Sequence, residues 1–294
     1  MQSIVFSDNL NRYHEKLKTQ VNNIDNSTSY QIMALYKFVS KPIDVDSLAS
    51  IREDFLKRLK ELNIKGTILL ASEGINGTIS ASNLEELNGA LAFINSVPQI
   101  GEVNPKDIKY SSALFDPFRK LKVKARAEIV TFGLGDIDVT NNTGEHLNAE
   151  QWNELISDPD TVVIDTRNSF EYKMGTFKNS VNPDTKTFRE LPEYIKNNLD
   201  KNKDTKIAMF CTGGVRCEKS TAYLKEQGYK NVYQLDGGIL NYFEQTNSDN
   251  SLWDGRCFIF DDRIAVDQDL KPVGIPEDYI NYGRRDLMAK DDQY

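Results

Sequence analysis

The stretch Cys211-Thr212-Gly213-Gly214-Val215-Arg216-Cys217 constrains this chain's fold more than any other. It follows an apolar run, Ile207-Ala208-Met209-Phe210, that reads as a buried strand, and it precedes a helix expected over 217–227. Strand, glycine loop and helix in that order form the unit that open α/β sheets use to hold an anion. The glycines let backbone N–H groups turn inward as a nest. The following helix directs its N-terminus at the same point, and Arg216 adds a fixed positive charge. All three favour a thiolate, so Cys211 is the candidate reactive group and Thr212, Gly213, Gly214, Val215 and Arg216 form the candidate active-site loop.

Four residues separate Cys211 from Arg216. A cysteine-phosphatase loop has one more, which makes a wider cradle for phosphate. The shorter ring suits sulfur or another small group, and its nest would stabilise a persulfide, a sulfenate or an attacked anion. Cys217 is close enough in sequence to serve as a second, resolving thiol, or else it packs the first helical turn. Cys257 reads as core. The chain has three cysteines and no Cys-x-x-Cys or Cys/His cluster, so neither a disulfide framework nor a metal is expected. The two histidines, His14 and His146, stand far from the loop in sequence. No iron triad, flavin motif or dinucleotide-binding glycine fingerprint is evident, so no cofactor is read from the residues. No apolar run approaches the ~18 residues of a membrane span, and residues 1–25 lack the layout of a signal peptide. A cytoplasmic location is the expectation.

Upstream, the hydrophobic pattern gives a strand over Tyr30–Val39 and a helix over Asp46–Leu62 with Leu48, Ile51, Phe55, Leu59 and Leu62 on one side. Strands at Gly66–Ala71 and Gly77–Ser80 follow, joined by Ser72-Glu73-Gly74-Ile75-Asn76. A helix over Asn83–Asn95, with Leu84, Leu87, Leu91 and Ile94 inward, and a strand over Asp107–Ser112 complete a β-α-β-β-α-β order, the ferredoxin-like arrangement. Weak helical spacing precedes it at Leu10, Tyr13 and Leu17. From about Ala127 the pattern becomes strand–helix alternation, with Asp165, Cys211 and Asp236 at the carboxyl ends of apolar strands. Gly133–Gly144 has the look of a linker. Cys257–Phe260 and Ile264–Val266 are expected to pair around Asp261-Asp262-Arg263, with a polar tail after Pro272. The expected organisation is an α+β ferredoxin-like domain over 1–127, an α/β domain with a parallel sheet over 128–246, and a short C-terminal extension over 247–294.

Charge is uneven. Residues 1–126 carry 17 Lys/Arg against 14 Asp/Glu, whereas the whole chain is at −8. Arg119, Lys120, Lys122, Lys124 and Arg126 place five cations in eight residues, and strict alternation gathers four of them on one strand face. Such a stripe either tracks phosphates or guards a sheet edge. Phe115, Phe118 and Tyr110 lie nearby in sequence as candidate stacking residues for an unpaired base.

Residues 128–246 resemble the rhodanese domain. The resemblance is carried by Asp165-Thr166-Arg167 with Phe170-Glu171-Tyr172, by Gly175-Thr176-Phe177 through Ser180-Val181-Asn182 (Thr176 stands where the family usually has histidine), by Cys211–Arg216 and by Leu235-Asp236-Gly237-Gly238. It implies Cys211 as nucleophile and persulfide carrier, with Asp165, Arg167 and Glu171 supporting the loop through ion pairs, or else Asp165 and Arg167 forming simply a structural salt bridge. Over residues 30–266, the order of Ser72-Glu73-Gly74-Ile75-Asn76-Gly77-Thr78, the cysteine loop through Ser220, and Trp253-Asp254-Gly255-Arg256-Cys257-Phe258-Ile259-Phe260-Asp261 is similar to the rhodanese-domain tRNA uridine hydroxylases, the TrhO family. That resemblance implies oxygen-dependent 5-hydroxylation of the wobble uridine, position 34, with Cys211 catalytic. It also implies molecular oxygen and a reductant as co-reactants and the tRNA anticodon loop as partner. It favours the basic strand as an RNA-binding element, and the Glu73–Thr78 segment is either a glycine-containing turn between strands or, from its placement beside that strand, a substrate-facing loop. Many members carry a C-terminal cysteine cluster, and residues 267–294 here contain no cysteine. A plain sulfurtransferase, carrying sulfane sulfur on Cys211, would need only the second domain.

Overall fold

The computed structural model describes residues 29–135 and 137–273. The expected helical spacing at Leu10–Leu17 and the end of the polar tail lie outside the described residues. Among the described residues, no helix is long and apolar enough to cross a membrane.

The first unit follows the expected order: β1 (Tyr30–Phe38), α1 (Val45–Glu61), β2 (Lys65–Ala71), β3 (Gly74–Ala81), α2 (Leu84–Ser96) and β4 (Ile108–Ala113). The sheet order β4-β1-β3-β2 is extended at one edge by β5 (Leu121–Ala125), which runs parallel to β2. The helices start where capping side chains satisfy the first free N–H groups. The Asp44 carboxylate accepts from Ser47 N–H at 2.9 Å and the Asn83 amide oxygen from Glu86 N–H at 2.9 Å. Leu48, Ile51, Phe55 and Leu59 of α1 are buried as the spacing predicts. In α2 the inward stripe is Leu87, Ala90 and Ile94. Leu84, expected inward, occupies the first turn ahead of that stripe and is exposed.

Both helices cover one face of the sheet, against Met33, Leu35, Ile68, Leu70, Ile75, Ile79 and Val123. Strand register fixes what stands on the other face. Tyr36, Asn76, Leu69 and Lys124 form one cross-sheet row, and Lys109, Ala34, Thr78, Thr67 and Lys122 the next. The connection before the third strand is shorter than the five residues expected, because β3 begins at Gly74. At Gly74, with φ +144°, a Cβ would collide with the Lys37 carbonyl oxygen; at Gly77 it would lie 2.6 Å from that of Thr67. These glycines permit close strand packing, although as sequence they resemble turn signals. The Glu73–Thr78 segment is therefore mostly strand, in the middle of the sheet.

The second unit is a parallel sheet, order β6-β10-β9-β7, built from β6 (Glu145–Leu147), β7 (Thr161–Asp165), β9 (Lys206–Phe210) and β10 (Asn231–Leu235). One face packs against α3 (Ala149–Ser157) and α7 (Gly238–Gln245) through Trp152, Val163, Ala208, Phe210 and Tyr242. On the other face, Ile164, Ile207 and Met209 meet Leu191 and Ile195 of α5 (Leu191–Asn198) and Leu224 of α6 (Val215–Glu226). The helix after the cysteine loop, α6, begins at Val215, two residues earlier than expected, so Arg216 and Cys217 lie in its first turn.

A short helix, α4 (Ser169–Met174), leads into β8 (Gly175–Phe177). The C-terminal extension is woven into this unit: β11 (Trp253–Gly255) pairs antiparallel with β8. The expected hairpin is present as β12 (Cys257–Phe258) and β13 (Ala265–Val266). Its turn also reaches the first unit, where Asp262 N–H donates to the Pro117 carbonyl at 3.0 Å and Arg263 Nη1 to Ser111 Oγ at 2.8 Å.

The units are further joined by Lys219 of α6. Its buried ammonium lies 2.8 Å from Glu73 of the β2–β3 turn and 2.6 Å from Glu128. Burial opposes the charge on both carboxylates. At Glu128 the ammonium and the N–H groups of Phe132 and Gly133 outweigh it and the pKa falls; at Glu73 burial prevails and the pKa rises. Lys219→Met should leave both carboxylates facing each other unpaired and lower stability by ~3 kcal/mol, measured by denaturant unfolding; an unchanged midpoint would show that this ion triad does not hold the units together.

Candidate active site

β9 brings Cys211 to the carboxyl end of the sheet, and the chain then turns around its sulfur. Gly214, at φ +100°, donates its N–H to Sγ at 3.1 Å. The backbone N–H groups of Arg216 and Cys217 and the Cys217 thiol also face this sulfur and favour its anion. Cys211 is 1% exposed. Burial opposes ionisation, but the Cys217 thiol, the Arg216 charge and the two N–H groups outweigh it and bring the pKa down to about 6. At Cys217 burial and the neighbouring sulfur act together and push the pKa up. Cys257 is pushed up to about 12 by burial. The ring of donors thus distinguishes one thiol from the other two.

The loop is braced from behind by Gly237 and Gly238, both at positive φ. At the start of α7, Ile239 N–H donates to the Cys211 carbonyl at 2.9 Å and Leu240 N–H to that of Thr212 at 3.1 Å. A Cβ on Gly238 would lie 2.5 Å from the Cys211 carbonyl oxygen, so the close approach requires glycine. In front, Arg216 donates to both oxygens of the fully buried Glu171, at 2.7 and 2.9 Å, and to Thr212 Oγ1 at 3.2 Å. Burial alone would neutralise the pair; the mutual attraction prevails, lowering the Glu171 pKa and raising that of Arg216.

Asp165 and Arg167 form a separate buried pair at 2.6 Å. Arg167 also donates to the Gly175 carbonyl at 2.6 Å, and its guanidinium lies 5.1 Å from the Trp253 ring. It fastens α4, β8 and the extension, one layer behind the loop. Thr176 donates to Asp165 at 3.1 Å. Among the described residues no group of His, Cys, Asp and Glu side chains gathers as a metal site.

The first unit supplies a residue to this site that the sequence did not single out. Tyr36 Oη donates to Glu218 of α6 at 2.9 Å and stands against the loop, 3.0 Å from where a Cβ on Gly214 would be. Burial and the Glu218 charge raise its pKa. His146 Nε2 lies 3.1 Å from the same Glu218 oxygen, which raises the histidine pKa. His146 therefore joins the interface through Glu218. Alternation along β1 puts Tyr36 on the sheet face opposite Met33 and Leu35, but Tyr30 and Phe38 share that face, so the sequence did not single it out.

Arg119, Lys120 and Lys122 are exposed, and Lys124 and Arg126 half-buried. Lys122 and Lys124 stand on the face that Tyr36 shares, three strands away, or about 14 Å at ordinary strand spacing. Of the aromatic residues expected to stack a base, Phe118 is buried. Tyr110 is exposed but pairs with Met33 on the helix-covered face, since register sets its direction. Phe115 is half-buried.

A cysteine–arginine loop at the end of a parallel strand, backed by a glycine pair and braced by a buried carboxylate, is a rhodanese-type site. Residues 148–245 match the model of the rhodanese-like domain, and residues 30–129 that of the UPF0176 acylphosphatase like domain. Two curated relatives, each named tRNA uridine(34) hydroxylase, come from Legionella pneumophila strains Paris and Corby. They are 49% and 48% identical over 250 residues, 84% of this chain and 95% of each relative. The chain belongs to the tRNA uridine(34) hydroxylase family. Among solved structures, a rhodanese-related protein from Thermoplasma volcanium is 30% identical and covers 34% of this chain and 92% of its own, with a TM-score of 0.28.

Because the pKa values of Cys217 and Cys257 are raised, a thiolate absorbance titration of the folded protein should show one step at about pH 6, with thiolate increasing as pH rises through it. Cys211→Ala should abolish that step; its persistence would assign the low pKa to another group.

Proposed function

We propose that the chain hydroxylates C5 of uridine 34 in tRNA, with Cys211 as the reacting group and molecular oxygen as oxidant. The balance is one oxygen atom into the C5–H bond and the other to water, with two electrons and two protons from a reductant. The observation that carries this reading is the placement of the Cys211 thiolate at the joint between the two units. The N–H cradle favours an anionic sulfur species there, and Tyr36 makes the first unit part of the wall. A sulfurtransferase reading would use the loop but leave this joint without a task.

The basic edge strand supports an RNA substrate. Lys122 and Lys124 of β5 lie on the sheet face that Tyr36 shares, with Lys120 just ahead of the strand, and the three would hold anticodon-arm phosphates while an unpaired base approaches the loop. Arg119 and Arg126 flank them. With all catalysis confined to the loop, the strand would act on affinity.

Nucleosides from tRNA of cells lacking the protein should be depleted in 5-hydroxyuridine derivatives. The wild-type chain should restore them and Cys211→Ala should not; unchanged levels throughout would overturn the reading. Replacing Lys120, Lys122 and Lys124 by Glu should weaken tRNA binding and flatten its salt dependence, by about 0.7 in log–log slope for each phosphate no longer neutralised. An unchanged slope in a filter-binding series would remove the strand from the RNA interface.

A further inference from the structure

Phe260 is 40% exposed, although it stands beside the buried Arg216 of the loop. Its ring centroid lies 5.8 Å from the guanidinium carbon of Arg216, the residue bound to Glu171 and Thr212. It also meets Phe258 at 5.0 Å with the two rings perpendicular, and Phe258 meets Phe170 of α4 in the same way at 5.0 Å. The ring thus has Arg216 over it and Phe258 perpendicular to it, and it still remains 40% open to solvent. The next residues fix it in place: Asp261 and Arg263 form a buried pair at 2.6 Å, and the turn is bonded to Pro117 and Ser111 of the first unit. The neighbouring loop is open too, since nothing lies within 4 Å of a Cβ built on Gly213.

An exposed aromatic held rigidly beside a cationic loop suits a planar ring that stacks by its face and carries carbonyl oxygens on its edge. We infer that Phe260 is the stacking wall for the unpaired base presented to Cys211, an inference that rests on the tRNA reading above. A base offers a π-face whatever its edge groups, so the ring would hold its plane while the loop acts on its edge. The extension would thereby complete the site, which neither domain forms alone.

The test uses the full chain with Phe260→Trp, Phe260→Leu and Phe260→Ala. A transcribed tRNA carrying 5-iodouridine at position 34 is bound and irradiated, and the crosslinked residue is mapped by mass spectrometry. The wild-type crosslink should fall on Phe260, the Trp variant should retain it, and the Leu and Ala variants should lose it. In cells, Trp should support 5-hydroxyuridine formation, while Leu and Ala reduce it by at least about fivefold, the low end of one base–aromatic stack. Leu keeps the apolar cover over Arg216 without the π-face, so a merely structural role predicts that Leu rescues. Wild-type levels with Leu, or a crosslink mapping elsewhere while hydroxylation persists, would overturn the inference alone. Failure of the wild-type chain to bind or modify tRNA would overturn the underlying reading with it.

Discussion

The Cys211 sulfur is nearly removed from water, and a buried thiol left to itself stays protonated. Here fixed N–H dipoles from Gly214, Arg216 and Cys217, together with the Arg216 charge, replace the lost solvation. That replacement works only if the donors keep their positions. The surrounding structure serves that requirement: β9 delivers the cysteine, the first turn of α6 aims the donors, and Ile239 and Leu240 hold the loop carbonyls from behind. Glu171 keeps Arg216 in place although both charges are buried, which is tolerable because both carboxylate oxygens are matched by guanidinium donors.

The same loop is also a domain joint. Tyr36 bonds to Glu218 in the helix that carries the loop, and Lys219, the next residue, reaches Glu73 and Glu128. One turn of α6 thus faces the sulfur at its start and the first unit along its side. The sheet face left uncovered by α1 and α2 is consequently not wholly free, since it forms part of the wall of the site. The extension adds a third contribution by crossing from β8 to Pro117 and Ser111.

Much of this was legible in sequence because the signals were local. Helical spacing identified the buried stripe of α1, glycine and arginine offsets identified the loop, and alternation put Lys122 and Lys124 on one strand face. Expectation and structure part where a local signal has two physical causes. Gly74 and Gly77 resemble turn residues but serve close strand packing. Phe118 and Tyr110 resemble base-stacking residues, yet one is buried and the other stands on the helix-covered side.

By itself the sequence determined the strand–loop–helix unit, the order of elements and the anion-binding character of the loop, because backbone propensity and periodicity act over a few residues. Only the tertiary structure decided which distant side chains meet there. Tyr36 and Glu218 are 182 positions apart, and Arg216 and Glu171 are 45 apart. Nothing in local spacing encodes such pairs; they follow from sheet register and from the way two domains and an extension pack around one sulfur.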